Sequence, residues 1–337
     1  MKERKGFARR DSWLAALALI VLALAPVSAA PKAELLWVAT GNATEKLDWT
    51  IDVCVAPDGN IWVADISDRF FIFNPKGELL EVWGRHGTGP GEFSFYQPRT
   101  SLKQLELCAD VLFLPDGTFL VADYLNRRIQ LFDHERNFLR IWDSTIVNPL
   151  MMALMPGGEV LVDDGARIIR FDQAGHRLGV LINVESLRDA DTPAQGLAFN
   201  GFGVDPEGSI FTTISSKARI FVFDSKGALL GRFGEADWKA FGGLRPSWEK
   251  VFDERGNVYV ADSGNNRVVV FDKAGRFLFD FGRYGKGEEE FVWLTSIALD
   301  GLGNLYAADE VGKNLKKYVL SGLPSVVAVA GQKPPLE

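Results

Sequence analysis

GNVYVADSGNNRVVVFDKAGRFLFDFG, residues 256–282, decides the fold. A glycine opens a short β-branched and aromatic run that ends in Asp262, six residues on. A polar loop follows, then Arg267 four residues before Phe271, then a second apolar run closing on Gly282. Short apolar runs bounded by glycine-containing turns read as strands. Working outward, the same punctuation recurs at Gly59, Gly117, Gly158, Gly208 and Gly303, in steps of 41 to 58 residues. Asp65, Asp123, Asp164 and Asp309 repeat the aspartate, and Ile214 replaces it after Gly208. Arg69/Phe73, Arg128/Phe132, Arg167/Phe171 and Arg219/Phe223 repeat the arginine and aromatic, with Asn314/Tyr318 the weakest copy. Four-stranded units of this period are propeller blades, each burying its faces only against its neighbours. The sequence therefore predicts an all-β, six-bladed β-propeller of four-stranded antiparallel blades, near 49–84, 105–143, 148–183, 197–234, 246–283 and 293–331.

The string 256–282 resembles an NHL repeat, and DGNIWVADISDRFFIFNPKGELLEVWG and DGTFLVADYLNRRIQLFD are similar to it. GRHGTGPGEF and GRYGKGEEEF resemble the glycine-rich link between such repeats. The resemblance covers about residues 33–331. It weakens in blade 3, whose loop is shortened, in blade 4, which lacks the aspartate, and in blade 6, which lacks the arginine. It implies the six-bladed fold and leaves activity open, because such propellers serve many functions.

Residues 1–29 read as a secretory signal peptide. Lys2, Arg4, Lys5, Arg9 and Arg10 precede the apolar run 13–25, and small residues allow cleavage after Ala29. The alternative, an uncleaved anchor, is disfavoured by Pro26 and the small residues beyond it. Without residues 1–29, which carry five basic and two acidic groups, the formal charge moves from −7 to −10. An acidic domain is poorly suited to nucleic acid, whose affinity comes from Lys and Arg. Export places the domain, about 30–331, in the periplasm or outside the cell, with no membrane span after cleavage and a polar tail at 332–337. Cys54 and Cys108 stand at non-equivalent positions in their repeats and are read as buried free thiols rather than a disulfide. Two stretches compete for the outer edge of the last blade, 33–41 and 325–331; closure by 33–41 is favoured because it ties the chain ends together.

Function is expected on the face that carries the b–c loops and the d–a connections, which vary in length while the opposite turns are stereotyped. The recurring charges Asp65, Arg69, Asp123, Arg128, Asp164, Arg167, Asp262 and Arg267 border that face and are read as structural pairs closing each b–c loop. Seven residues before the marker glycine, where NHL-like repeats carry a small residue, stand Asp52, Asp110 and Glu249; the other blades have Met151, Gly201 and Ser296. Strand a is innermost, so these carboxylates are expected at the channel mouth, with Trp49, Trp248 and Trp293 as an apolar wall. Oxygen ligands at Asp52 and Asp110 would suit calcium. Enzyme readings find less support. His86, His134 and His176 are too scattered for a zinc site of the amidating-lyase kind, lactonase-like residues are not recognisable, and no GxSxG or phosphate loop is present. The sequence thus points to a binding or scaffolding module for a protein, peptide or glycan. A metal-dependent hydrolase or lyase at the channel mouth is the alternative.

Overall fold

The computed structural model describes residues 30–97, 106–146, 148–188, 197–215, 217–234, 244 and 249–323. Six four-stranded antiparallel sheets follow one another in chain order. The inner a strands are Thr50–Val55, Ala109–Phe113, Met151–Leu154, Phe199–Val204, Lys250–Phe252 and Leu294–Leu299. Each touches the a strands on either side, and the last touches the first, which closes a ring of six blades. Among the described residues the only helical turns are Val184–Leu187 and Ser263–Asn265. A two-stranded ribbon, Tyr96–Gln97 with Glu106–Leu107, lies in the connection between blades 1 and 2.

The repeat explains the geometry. The six marker glycines have φ between 77° and 89°, the left-handed conformation that lets the a–b turn reverse and that a side chain would strain. Strand c ends on a phenylalanine buried in the fold (Phe73, Phe132, Phe171, Phe223, Phe271), and just before each one the c–d register slips. A bulge at the same place in five blades adds right-handed twist, and twist is what turns a flat sheet into a blade.

Among the described residues the core is divided rather than shared. Six apolar clusters each join two neighbouring blades, from Trp62 with Val111 and Phe119 between blades 1 and 2 round to Phe71 with Tyr306 and Ala308 between 6 and 1. The fourth strand of blade 6 is Lys32–Ala39, which runs antiparallel to Asn314–Ser321 from Lys32↔Ser321 to Ala39↔Leu315. The other candidate edge, 325–331, lies outside the described residues, as does the segment 1–29. No helix among the described residues is long and apolar enough to cross a membrane.

Candidate functional site at the channel mouth

In blades 1, 2 and 6 the aspartate ending strand b receives backbone N–H groups from the connection entering its own blade, whereas Asp164 of blade 3 takes them from Ala166 and Arg167 in its own b–c loop. Asp65 takes Asp48 N at 2.7 Å, Asp123 takes Ser94 N at 2.8 Å, and Asp309 takes Trp293 N at 2.8 Å. The arginines are less uniform than their recurrence suggests. Arg128 and Arg267 bond Asp123 and Asp262 through Nε at 2.7 and 2.9 Å, and Arg167 grips Asp164 with two nitrogens. Arg69 instead reaches Glu45 Oε2 at 3.1 Å and Ser67 Oγ, because Ser67 already occupies Asp65. Blade 6 has Asn314 in the arginine's place, and Lys316 from strand c approaches Asp309 at 3.3 Å. Gln130 holds the matching position in blade 2 and bonds Asp123 at 3.0 Å.

The axial residues do gather across blades 5, 6 and 1. Ser296 Oγ lies 2.7 Å from Asp52 Oδ1 and 2.7 Å from Glu249 Oε2, and it accepts the Val53 N–H at 3.2 Å. A serine hydroxyl has one proton and two acceptor positions. It can donate to only one carboxylate, so the other carboxyl must carry a proton and donate to Oγ. The triad therefore stores one proton. Electrostatics agree. Burial raises Asp52 to about 6, and burial together with the Asp52 charge holds Glu249 well above the usual carboxylate range. Asp110, which accepts the Met152 N–H from blade 3, is raised for the same two reasons. The thiols of Cys54 and Cys108 are free, and burial followed by these acids pushes both upward, away from thiolate.

Two participants carry no signature in the repeat. Lys250, the residue after Glu249, is buried and crosses from blade 5 to blade 4. Its ammonium donates to Asn200 O at 2.7 Å, Gly201 O at 3.2 Å and Thr213 Oγ1 at 2.7 Å. Burial pulls its pKa down to about 7 against the opposing pull of Glu249 and Asp163. The crossing needs close strands: a Cβ on Gly203 would sit 2.3 Å from Lys250 O. Asp163 is the second. It pairs in register with Met151, as Ala64 pairs with Asp52 and Ala122 with Asp110. Blade 3 thus supplies its carboxylate from strand b, where the sequence reads LVDD at 161–164 in place of the usual V-A-D. Burial raises Asp163 to about 7.

The tryptophans lie at matched places: Trp49 O accepts Ile66 N and Trp293 O accepts Glu310 N, each from its own b–c loop. Trp49 is half-buried and Trp293 is 44% exposed; Trp248 lies outside the described residues. His86 pairs with Asp68 at 2.6 Å in the blade 1–2 connection, whereas His134 and His176 sit in c–d turns at the opposite face. Among the described residues no three His, Cys, Asp or Glu side chains form a metal-binding group.

A cavity of about 600 Å³ runs along the a strands of blades 2 to 5. Glu249 and Lys250 lie at one end of it, and the a–b turn residues Pro115, Pro156 and Pro206 at the other.

Residues 247–326 match the family model DUF5128, described as "6-bladed beta-propeller". No match was found among curated proteins. A solved protein of unknown function from Bacteroides thetaiotaomicron is similar, with TM-score 0.64 and 12% identity over 87% of this chain and 76% of that one. An auxiliary nutrient binding protein from Bacteroides ovatus gives TM-score 0.60 and 16% identity over 87% and 77%. A catalytically inactive virginiamycin B lyase from Staphylococcus aureus, solved with quinupristin, gives 0.57 and 12% over 86% and 99%. At these identities the likeness is one of fold.

Proposed function

We propose that the chain is an exported NHL-type propeller that acts as a binding module for a protein, peptide or glycan, engaged through the b–c loops and d–a connections around the channel mouth. One observation carries this reading: at the starts of the inner strands, Ser296 of blade 6 bridges Asp52 of blade 1 and Glu249 of blade 5, and Asp110 of blade 2 bonds the backbone of blade 3. Asp52, Asp110 and Glu249 give the mouth its acidity, and Trp49, Trp248 and Trp293 would supply stacking surface on the blade 5–6–1 side. The nutrient-binding protein of the same fold is consistent with such a role. Lyase chemistry finds less support, since the lyase neighbour is inactivated by losing a histidine, whereas here His134 and His176 sit in c–d turns and His86 pairs with Asp68 in the blade 1–2 connection. Calcium belongs to the same reading as the other way of neutralising Asp52 and Asp110.

The test uses mature protein, peptide and glycan panels, and two readouts, tryptophan fluorescence and melting temperature. Ligand should quench fluorescence, and quenching should weaken when Trp49 and Trp293 are replaced by alanine. If calcium is the counter-charge it raises the melting temperature, and Asp52→Asn with Asp110→Asn abolishes the rise. Turnover of lactone, ester or hydroxyglycine substrates that disappears in the same double variant, with one bound metal per chain, would replace the binding reading by the hydrolase or lyase one.

A further inference from the structure

The channel mouth opens on the face that carries the b–c loops. The opposite face, formed by the a–b and c–d turns, holds a buried charge without a counter-ion. Lys317 is the residue before the aromatic that ends strand c of blade 6. The same place holds the apolar Ile72, Leu131, Val222 and Val270 in four other blades, and Arg170 in blade 3. Arg170 is matched within its own blade: Glu159, the residue after the marker glycine, accepts its Nε at 2.7 Å and its Nη2 at 2.6 Å. Blade 6 has the neutral Asn304 in place of Glu159, and that side chain bonds Asp300. Lys317 is only 7% exposed. Among the described residues its ammonium meets one oxygen, Pro75 O at 3.2 Å, and the ring of Tyr306, 5.1 Å from its centre. An ammonium has three N–H donors and a full charge. A carbonyl and a ring face offset part of that charge, but a buried ion without an anionic partner remains costly.

Lys317 also faces open space. It lines a cavity of about 350 Å³ between blades 6 and 1, as does Pro75, the residue that accepts from its ammonium. That volume is within the range of small-molecule sites. Much of the remaining wall is apolar, with Val55, Pro57, Leu299 and Leu302. Asp300 lies there too, but its oxygens already accept Leu302 N, Asn304 N, Asn304 Nδ2 and the Tyr306 hydroxyl.

We propose that this cavity binds a small organic carboxylate, with its charged end against the Lys317 ammonium and a short apolar body against Leu299 and Leu302. It is a second site, on the other face of the disc from the channel mouth, and goes beyond the loop-face reading. A carboxylate supplies what blade 6 lacks and blade 3 has, an anionic acceptor for the cation of strand c. An alcohol supplies an acceptor without charge, and an amine adds repulsion. Phosphate fits poorly, because it needs more donors than one ammonium offers and brings extra charge toward Asp300.

Hexanoate, hexanol, hexylammonium and inorganic phosphate serve as probes, titrated calorimetrically into the mature chain at neutral pH. Hexanoate should bind most tightly and hexylammonium least. Lys317→Met restores the apolar character of the other blades. It should weaken hexanoate by roughly 10-fold or more and leave hexanol unchanged, as expected for a bond between charged groups. Leu302 is 89% exposed, so its charge can be changed without disturbing the fold. Leu302→Glu should weaken hexanoate by about 2- to 5-fold, and Leu302→Lys should strengthen it by a similar factor. Hexanol or phosphate bound as tightly as hexanoate, or no binding of hexanoate, would overturn the proposal. So would an undiminished hexanoate affinity in Lys317→Met that circular dichroism shows to be folded. Should that variant not fold, the Leu302 pair decides: equal hexanoate affinity in both would sink the idea. Replacing Trp49 and Trp293 by alanine keeps the two sites apart. Capture of a loop-face ligand should fail and hexanoate binding should survive; its loss would put the carboxylate at the channel mouth and overturn the second site.

Discussion

Blades 1 and 3 bring an aspartate to the same level of the axis by different routes, with opposite outcomes. Asp52 comes from strand a and faces Ser296, which shares its hydrogen with Glu249, so the group is buried and fully bonded. Asp163 comes from strand b, opposite Met151, and half of its carboxylate is bonded to nothing. Both are pushed upward by burial. The difference teaches that position in the repeat sets burial, while neighbours around the ring set satisfaction. One side is built to hold itself together; the other has capacity to spare.

Lys250 stands between the two sides, and removing it gives the largest expected effect. Lys250→Met would strip the donors from Asn200 O, Gly201 O and Thr213 Oγ1 and leave Glu249 and Asp163 without their cation. A loss of roughly 3–5 kcal/mol is expected by chemical denaturation. A loss under about 1 kcal/mol would mean that blade 4 does not depend on the crossing. Ser296→Ala comes next, at about 1–3 kcal/mol. Its hydrogen bond favours ionised Asp52 and Glu249, so the loss should be small at pH 4 and grow as pH rises past about 6. A loss independent of pH would show that the stored proton is absent.

Asp163→Asn is the smallest change and has the opposite sign. A carboxyl whose folded pKa is raised destabilises the fold progressively once the unfolded chain ionises. The penalty therefore begins near pH 4 and is complete near 7. The amide avoids it and keeps an oxygen for Gly165 N. Melting experiments should show a gain of about 1–2 kcal/mol above pH 7 that fades toward pH 4. Destabilisation at every pH would make Asp163 an ordinary structural residue and erase the contrast with Asp52.

Blade number and strand order were legible because glycine, aspartate and the aromatic recur where turn and core geometry require them. Asp52, Asp110 and Glu249 were visible as acids in a position that is elsewhere Met, Gly or Ser. Ser296 was visible only as one of those fillers. Its role depends on the residues facing it from blades 5 and 1, and linear spacing within one blade does not contain that information. Asp163 was hidden by its neighbour: Asp164 satisfies the repeat spacing, but the shortened loop of blade 3 moves Asp164 out of the strand and leaves Asp163 at the alanine register. The edge of blade 6 was ambiguous for a related reason. Two apolar runs of equal promise compete for it, and only the bonding of Lys32–Ala39 to Asn314–Ser321 distinguishes them.

That pairing also orders events in time. Lys32–Ala39 is among the first parts of the domain to be synthesised, and Leu315 to Ser321, its partners, are among the last. Blades 1 to 5 can stack as they emerge, each on the one before, while the opening strand waits with its edge unpaired. Only a chain synthesised through blade 6 can fasten the ring, so closure of the propeller waits for its last blade. Any product cut short before blade 6 keeps a loose first strand and two bare blade faces, and proteases recognise such features readily.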